Sequence, residues 1–140
     1  MASAKPRCAI LAAEFAKAIA DAMITEASLE VVAVGAELLK VVRVPGAYEL
    51  PLLADALLSQ SDVDCLVVLG YIERGETQHG EVMGYVVHQA LVNLELKYRK
   101  PVGIGIIGPG ASLAQAENRK AEYARAAVRA AVSSWHALND

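Results

Sequence analysis

Short, unbroken apolar runs alternate along this chain with longer segments of mixed character. Residues 8–13 (CAILAA), 38–44 (LLKVVRV), 64–69 (DCLVVL) and 102–107 (VGIGII) are the short runs. Runs of this length bounded by Gly, Pro or charged residues read as strands covered on both faces. Between them lie four segments with helical spacing: 16–34, 51–59, 78–99 and 112–138. Pro51 fits a first helical turn, and Gly35 stands where a helix-terminating glycine belongs. Pro101 stops the third helix, and Ser112 with Gln115 makes a capping box for the last. Pro45-Gly46 and Gly108-Pro109-Gly110 read as turns, which gives the order β-α-β-α-β-α-β-α. The expected fold class is therefore α/β: a four-stranded parallel sheet with helices on both faces, one domain over residues 1–140.

The first helix breaks the amphipathic rule. Ile19, Met23, Ile24, Leu29, Val31 and Val34 point around it, while Lys17 and Asp21 mark a wet edge. A helix this apolar is either buried twice or touches a partner. Residues 16–34 are thus a candidate surface for a further protein partner, with Met23 and Ile24 as contact residues.

The polar stretch after the third strand carries the candidate chemistry. Gly70 closes the apolar run, and residues 71–80 (YIERGETQHG) supply glycines, a hydroxyl, charges of both signs and a histidine. In open parallel sheets ligands collect beyond the carboxyl ends of the strands, where helix N-termini offer free N–H groups. Four segments should meet there: Phe15, residues 45–49, residues 70–79 and residues 108–112. His79 is the loop side chain suited to proton exchange near neutral pH. Each residue alone has a plain alternative. A histidine at a helix start is more often a cap or surface residue than a catalyst. A lone aromatic such as Phe15 is usually core, Glu49 can be simply an exposed acid, and Arg119 a solvated charge. Gly75-Glu76-Thr77 can cradle a phosphate through backbone N–H groups, yet it matches neither glycine-rich nucleotide fingerprint.

Composition narrows the class. The 140 residues are 55% hydrophobic against 21% charged, with a mean hydropathy of +0.35. That excess points to surface hidden against other subunits. No apolar run approaches the ~20 residues of a spanning helix, so no membrane role is expected. The start MASAKPR followed by a segment ending at Glu14 makes a poor signal peptide. A net charge of −3 and a pI near 5.6 argue against nucleic acid. Cys8 and Cys65 fall inside apolar runs and read as buried thiols of a cytoplasmic protein. The histidines stand apart and neither cysteine has a ligand neighbour, so no metal site is expected.

Val44-Pro45-Gly46-Ala47-Tyr48-Glu49-Leu50-Pro51, followed by Gly70 and then Arg74-Gly75-Glu76-Thr77-Gln78-His79, resembles the lumazine synthase family. Ala13-Glu14-Phe15, Gly35 and Gly108-Pro109-Gly110 resemble its archaeal-type branch in their order and spacing. The likeness implies a flavodoxin-like three-layer α/β/α sandwich assembling as a homopentamer, from which cages can be built, with active sites between subunits. It implies the riboflavin-pathway condensation of 5-amino-6-ribitylamino-pyrimidinedione with 3,4-dihydroxy-2-butanone 4-phosphate. The products are 6,7-dimethyl-8-ribityllumazine, phosphate and water, with no organic cofactor or metal. By the same likeness Phe15 stacks on the heterocycle, and Gly46, Ala47, Tyr48 and Glu49 hold the ribityl chain. Gly75, Glu76 and Thr77 bind the phosphate, which Arg119 reaches from a neighbouring subunit. Gly70, Ile72 and Gly108 line the pocket, and His79 is the general acid/base.

Three positions depart from the family pattern: Ala16 where Asn is usual, Glu73 in place of a branched aliphatic, and Gly80 in place of a larger residue. Two other readings stay open on the residues. One is a pentameric or cage-forming scaffold of the same fold with impaired catalysis. The other is the related archaeal-type riboflavin synthase, which lacks the RGETQH loop.

Overall fold

In the computed structural model, which describes residues 5–140, the apolar runs form one parallel sheet. Strands β1 (Arg7–Ala13), β2 (Glu37–Val44), β3 (Cys65–Glu73) and β4 (Val102–Ala111) lie in the order β2-β1-β3-β4. They are connected through helices α1 (Lys17–Ala33), α2 (Leu50–Leu58) and α3 (His79–Tyr98), and α4 (Leu113–Asn139) follows β4. One turn of 3-10 helix, Ala47–Glu49, leads into α2. The reading of the N-terminal residues 1–4 lies outside the described residues.

Strand alternation sorts the side chains into two cores. Cys8, Ile10 and Ala12 of β1 join Cys65, Val67, Leu69 and Tyr71 of β3 beneath α1 and α4. Ala9, Leu11 and Ala13 join Leu66, Val68 and Ile72 beneath α2 and α3. The result is the expected α/β/α sandwich. Ile10, Leu11, Leu66 and Leu69 are wholly enclosed, each burial stabilising by about 1.5–3 kcal/mol relative to exposure. Strand β1 sits centrally, with successors on opposite sides, so the carboxyl ends of β1 and β3 flank the point where strand order reverses. That reversal opens a crevice there.

The helix ends follow the sequence signals. Gly35 has a φ of +80° just past α1, and the Ser112–Gln115 box closes in both directions, at 3.2 Å and 2.8 Å. α1 itself answers the question its composition raised. Ile19, Met23, Ile24, Ala27 and Val31 are buried between the sheet and α4, which presents Ala124, Ala127, Val128, Ala131 and Val132. Met23 and Ile24 are therefore core residues of the monomer, not partner contacts. Small alanines on α4 let the two helices approach closely, which is why α1 needs apolar side chains on two sides.

Two boundaries also differ from the reading of the sequence. β3 does not end at Leu69 but runs on to Glu73, because Tyr71 and Ile72 each have a core to enter. Gly108-Pro109-Gly110 is not a free turn but a bulged part of β4. The register passes from Tyr71↔Ile107 to Glu73↔Ala111, so β4 spends extra residues there. Proline is tolerated because β4 is an edge strand. Gly108 is required, since a Cβ there would lie 2.2 Å from the Ile72 carbonyl oxygen at a φ of +93°.

Candidate active site

The chain leaves β1 through Glu14 and Phe15, and Phe15 stands on the rim with 64% of its surface exposed. The Phe15 ring borders a cavity and is not part of the core. Its base is fixed by charge. Arg43, near the end of β2, donates from Nη1 to Glu14 Oε2 (3.2 Å) and to Asp21 Oδ1 (2.7 Å), while Lys17 donates to Asp21 (2.9 Å). Hydrogen bonds from Lys17 and Arg43 hold the Asp21 carboxyl below its ordinary range. Ala16, the N-cap of α1, offers no side-chain cap, so this ion network holds the start of the helix.

From β2 the chain turns at Gly46, whose backbone lies beneath the folded-back carboxylate of Glu49. Ala47 is buried, whereas Tyr48 and Glu49 are exposed on the rim. The Tyr48 ring meets the His79 ring edge-on, with centroids 6.0 Å apart and planes at 64°. From β3 comes the polar loop. Thr77 Oγ accepts from the His79 backbone N–H at 3.3 Å, so the threonine hydroxyl, not the histidine, satisfies the start of α3. The His79 side chain is exposed at the first position of that helix and caps nothing among the described residues.

These segments enclose one cavity of about 350 Å³, lined by Phe15, Gly46, Ala47, Tyr71, Ile72, Glu73, Gly75, Thr77, His79, Gly80 and Met83. A second cavity of about 460 Å³ lies against the same loop on its other side, reached by Arg74, Gln78, Glu81, Tyr85, Pro109 and Gly110. Glu73, Gly75, Thr77 and Gly80 border both. Of the residues expected at the site, Phe15, Gly46, Ala47, Ile72, Gly75, Thr77 and His79 thus stand together, with Tyr48 and Glu49 beside them. Gly70 lies lower, inside the sheet opposite Ile106, and Gly108 backs Ile72 from β4. Glu76 is exposed on the loop, and Arg119 is exposed on α4 away from both cavities.

Glu73 puts its carboxylate in the cavity lining, as its departure from the family pattern implies, and Tyr71, Gly80 and Met83 line the cavity as well. Gly70 has the look of a strand end, but β3 continues and carries Tyr71 with it. Its hydroxyl donates to the Ala111 carbonyl at 2.9 Å, and burial, then the Glu73 charge, push its pKa up. Its phenol is already spent on a backbone oxygen, while His79 and Glu73 also line the cavity. Gly80 has a steric cause: a Cβ there would sit 3.0 Å from the Glu73 carbonyl oxygen. A larger residue at 80 would push α3 away from the loop.

The family profile described as 6,7-dimethyl-8-ribityllumazine synthase matches residues 5–139. The chain belongs to that family. Proteins with this description that it resembles include one from Metallosphaera sedula, 43% identical over 88% of this chain and 82% of the relative. Another, from Aeropyrum pernix, is 41% identical over 91% of this chain and 88% of the relative. A third, from Staphylothermus marinus, is 41% identical over 89% and 83%. Membership of the lumazine synthase family gives the convergence of Phe15, the Gly46–Ala47 turn and the Gly75–His79 loop a chemical reading.

Proposed function

We propose that this chain condenses 5-amino-6-ribitylamino-pyrimidinedione with 3,4-dihydroxy-2-butanone 4-phosphate, giving 6,7-dimethyl-8-ribityllumazine, inorganic phosphate and water. The observation that carries this is the single cavity shared by Phe15, Ala47, Gly75, Thr77 and His79. The exposed Phe15 ring supplies a face for the flat heterocycle. Tyr48 and Glu49 line the rim where a polyol chain needs acceptors and donors. Gly75 to Thr77 run into the start of α3, whose first N–H groups lack intrahelical partners and favour an anion. The phosphate then lies beside His79.

The sequence of steps follows from that placement. The pyrimidine's amino nitrogen attacks the ketone carbon, and water leaves as the imine forms. Phosphate is then eliminated as its C–O bond breaks and the neighbouring carbon gives up a proton. The resulting enol tautomerises to a ketone, the ribitylamino nitrogen attacks that carbonyl, and a second water leaves as the ring closes. His79, free of any structural duty, transfers protons to the departing water and phosphate. Holding the two reactants together supplies much of the acceleration, since imine formation is intrinsically feasible.

The pocket is completed by a second subunit in this reading. Arg119 reaches neither cavity of its own chain, and its planar fork suits a phosphate held by a neighbour. The ring of subunits, read as a pentamer, is supported by α3. Val82, Tyr85, Val86, Val92 and Leu96 are between 41% and 70% exposed along one stripe of that helix. An apolar stripe of this length calls for helices packed side by side. Buried thiols and water-soluble substrates fit a cytoplasmic enzyme. The scaffold reading has no observation in its favour, because the site residues stand together. Equilibrium titration with the pyrimidine substrate tests the proposal: the chain should bind it, and Phe15→Ala should weaken binding about tenfold. Equal affinity in both proteins would refute the stacking role.

A further inference from the structure

Cys8 and Cys65 take no part in the reaction proposed above, and their placement is unusual. They are direct partners in the parallel pairing of β1 with β3, and both are fully buried beneath α1 and α4. Their sulfur atoms are 2.9 Å apart, and both remain free thiols. We propose that Cys8 and Cys65 are a modification site: under oxidising conditions they close into an internal disulfide that staples β1 to β3.

The backbone already meets the requirement. Neighbouring strands run about 4.8 Å apart, inside the roughly 4.4–6.8 Å Cα window of a disulfide. Bringing the sulfur atoms from 2.9 Å to a bond of about 2.05 Å takes roughly 0.9 Å of movement, divided between two side chains. Register is locked next to the pair. Arg7 donates to Asp64 from its backbone N (2.7 Å) and Nε (2.9 Å), and the Asp64 N–H returns to the Arg7 carbonyl at 2.8 Å. The two cysteines are held opposite each other by groups that oxidation leaves untouched.

The oxidant can be a peroxide. One sulfur, as thiolate, attacks a peroxide oxygen; the O–O bond breaks, leaving a sulfenic acid and one water. The second sulfur attacks the first; the S–O bond breaks, and the departing hydroxide takes the second thiol's proton as water. Two thiols lose two protons and two electrons, and one peroxide becomes two waters. The hydrogen bond with Cys8 and burial push the Cys65 thiol up, and both sulfurs are fully buried, so peroxide reaches them only slowly in the folded protein. Oxidation is therefore fast before β1 and β3 close and slow afterwards. In a reducing cytoplasm the pair stays as thiols. The bond would join residues 8 and 65 and constrain the intervening α1, β2 and α2 in the unfolded chain. It lies at the amino ends of the strands, roughly 20 Å from the reaction site by strand rise.

The test uses the full-length protein, unfolded in guanidinium and refolded with or without one equivalent of hydrogen peroxide. The expected product loses two hydrogens by intact mass, has no thiol titratable under denaturing conditions, and yields a linked Cys8–Cys65 peptide on mapping. Its melting temperature should rise by about 5 °C or more, reversibly with reductant. Peroxide added to the folded protein should give the same product far more slowly. Cys8→Ala and Cys65→Ala should show neither the mass loss nor the rise in melting temperature. Thiols surviving refolding with peroxide, added oxygen, covalent dimers, or a lower melting temperature in the oxidised form would each overturn the proposal.

Discussion

Replacing His79 by Gln separates chemistry from structure at this site. The imidazole is exposed, and the backbone N–H at its position already donates to Thr77 Oγ at 3.3 Å. Removing the ring therefore breaks no buried contact, and a surface change of this kind stays within about 0.5 kcal/mol. The chemical cost is larger. General acid–base help is worth about 10²–10⁴-fold, and proximity of the two substrates carries part of the rate, so a loss of about tenfold to 100-fold in kcat is expected. Thr77→Ala supplies the contrast. It removes the hydroxyl that satisfies the start of α3, at a cost of about 0.5–1 kcal/mol, or a few degrees in melting temperature. Steady-state rates of lumazine formation and thermal melts by circular dichroism, run on both variants, read the two effects apart. The reasoning fails if His79→Gln keeps full kcat, or if it melts several degrees lower and loses rate only in proportion to the unfolded fraction.

Other expectations test the remaining links. Met23→Ala removes a side chain with no exposed surface from the α1–α4 core and should cost about 2–5 kcal/mol in urea unfolding, with the native mass unchanged. Arg119→Ala should raise the KM for the butanone phosphate about tenfold or more while leaving the KM for the pyrimidine nearly unchanged, through loss of a charge-assisted contact. Glu73→Gln removes a negative charge from the cavity that must accept a phosphate; the KM for the butanone phosphate should fall severalfold in steady-state kinetics at low salt. Partial burial raises the Asp64 carboxyl, but hydrogen bonds from Arg7 outweigh this and hold it below its ordinary 3.8. Its folded value being the lower one, Asp64 stabilises fully above that ordinary value, and the contribution disappears as pH falls through the folded value. Urea melts should show wild type losing its advantage over Asp64→Asn in that window and at no higher pH.

What the sequence made legible follows from how strongly each element is over-determined. The four strands and the sheet they make rest on continuous apolar runs, and Ser112 and Gln115 announce α4 by themselves. Gly70 resembles a strand terminator, yet Tyr71 and Ile72 continue the alternation into opposite cores, so β3 runs further than its composition suggests. Gly108-Pro109-Gly110 has turn composition, and only its edge position lets it remain in the sheet. Met23 and Ile24 were ambiguous in principle. An apolar helix between a sheet and an alanine-rich helix has the same composition as one awaiting a partner, and the alanines that decide the matter lie a hundred residues away. At the site, motif and topology agree on Phe15, the Gly46–Ala47 turn and His79. Arg119 stands apart because its proposed ligand belongs to another copy of the chain.

The most direct measurement incubates the purified protein with both substrates and follows lumazine by absorbance and inorganic phosphate in parallel. One phosphate released per lumazine, well above the uncatalysed rate and dependent on both substrates, is the predicted result. A rate indistinguishable from the uncatalysed reaction, at concentrations where the pyrimidine is bound, would contradict the assignment.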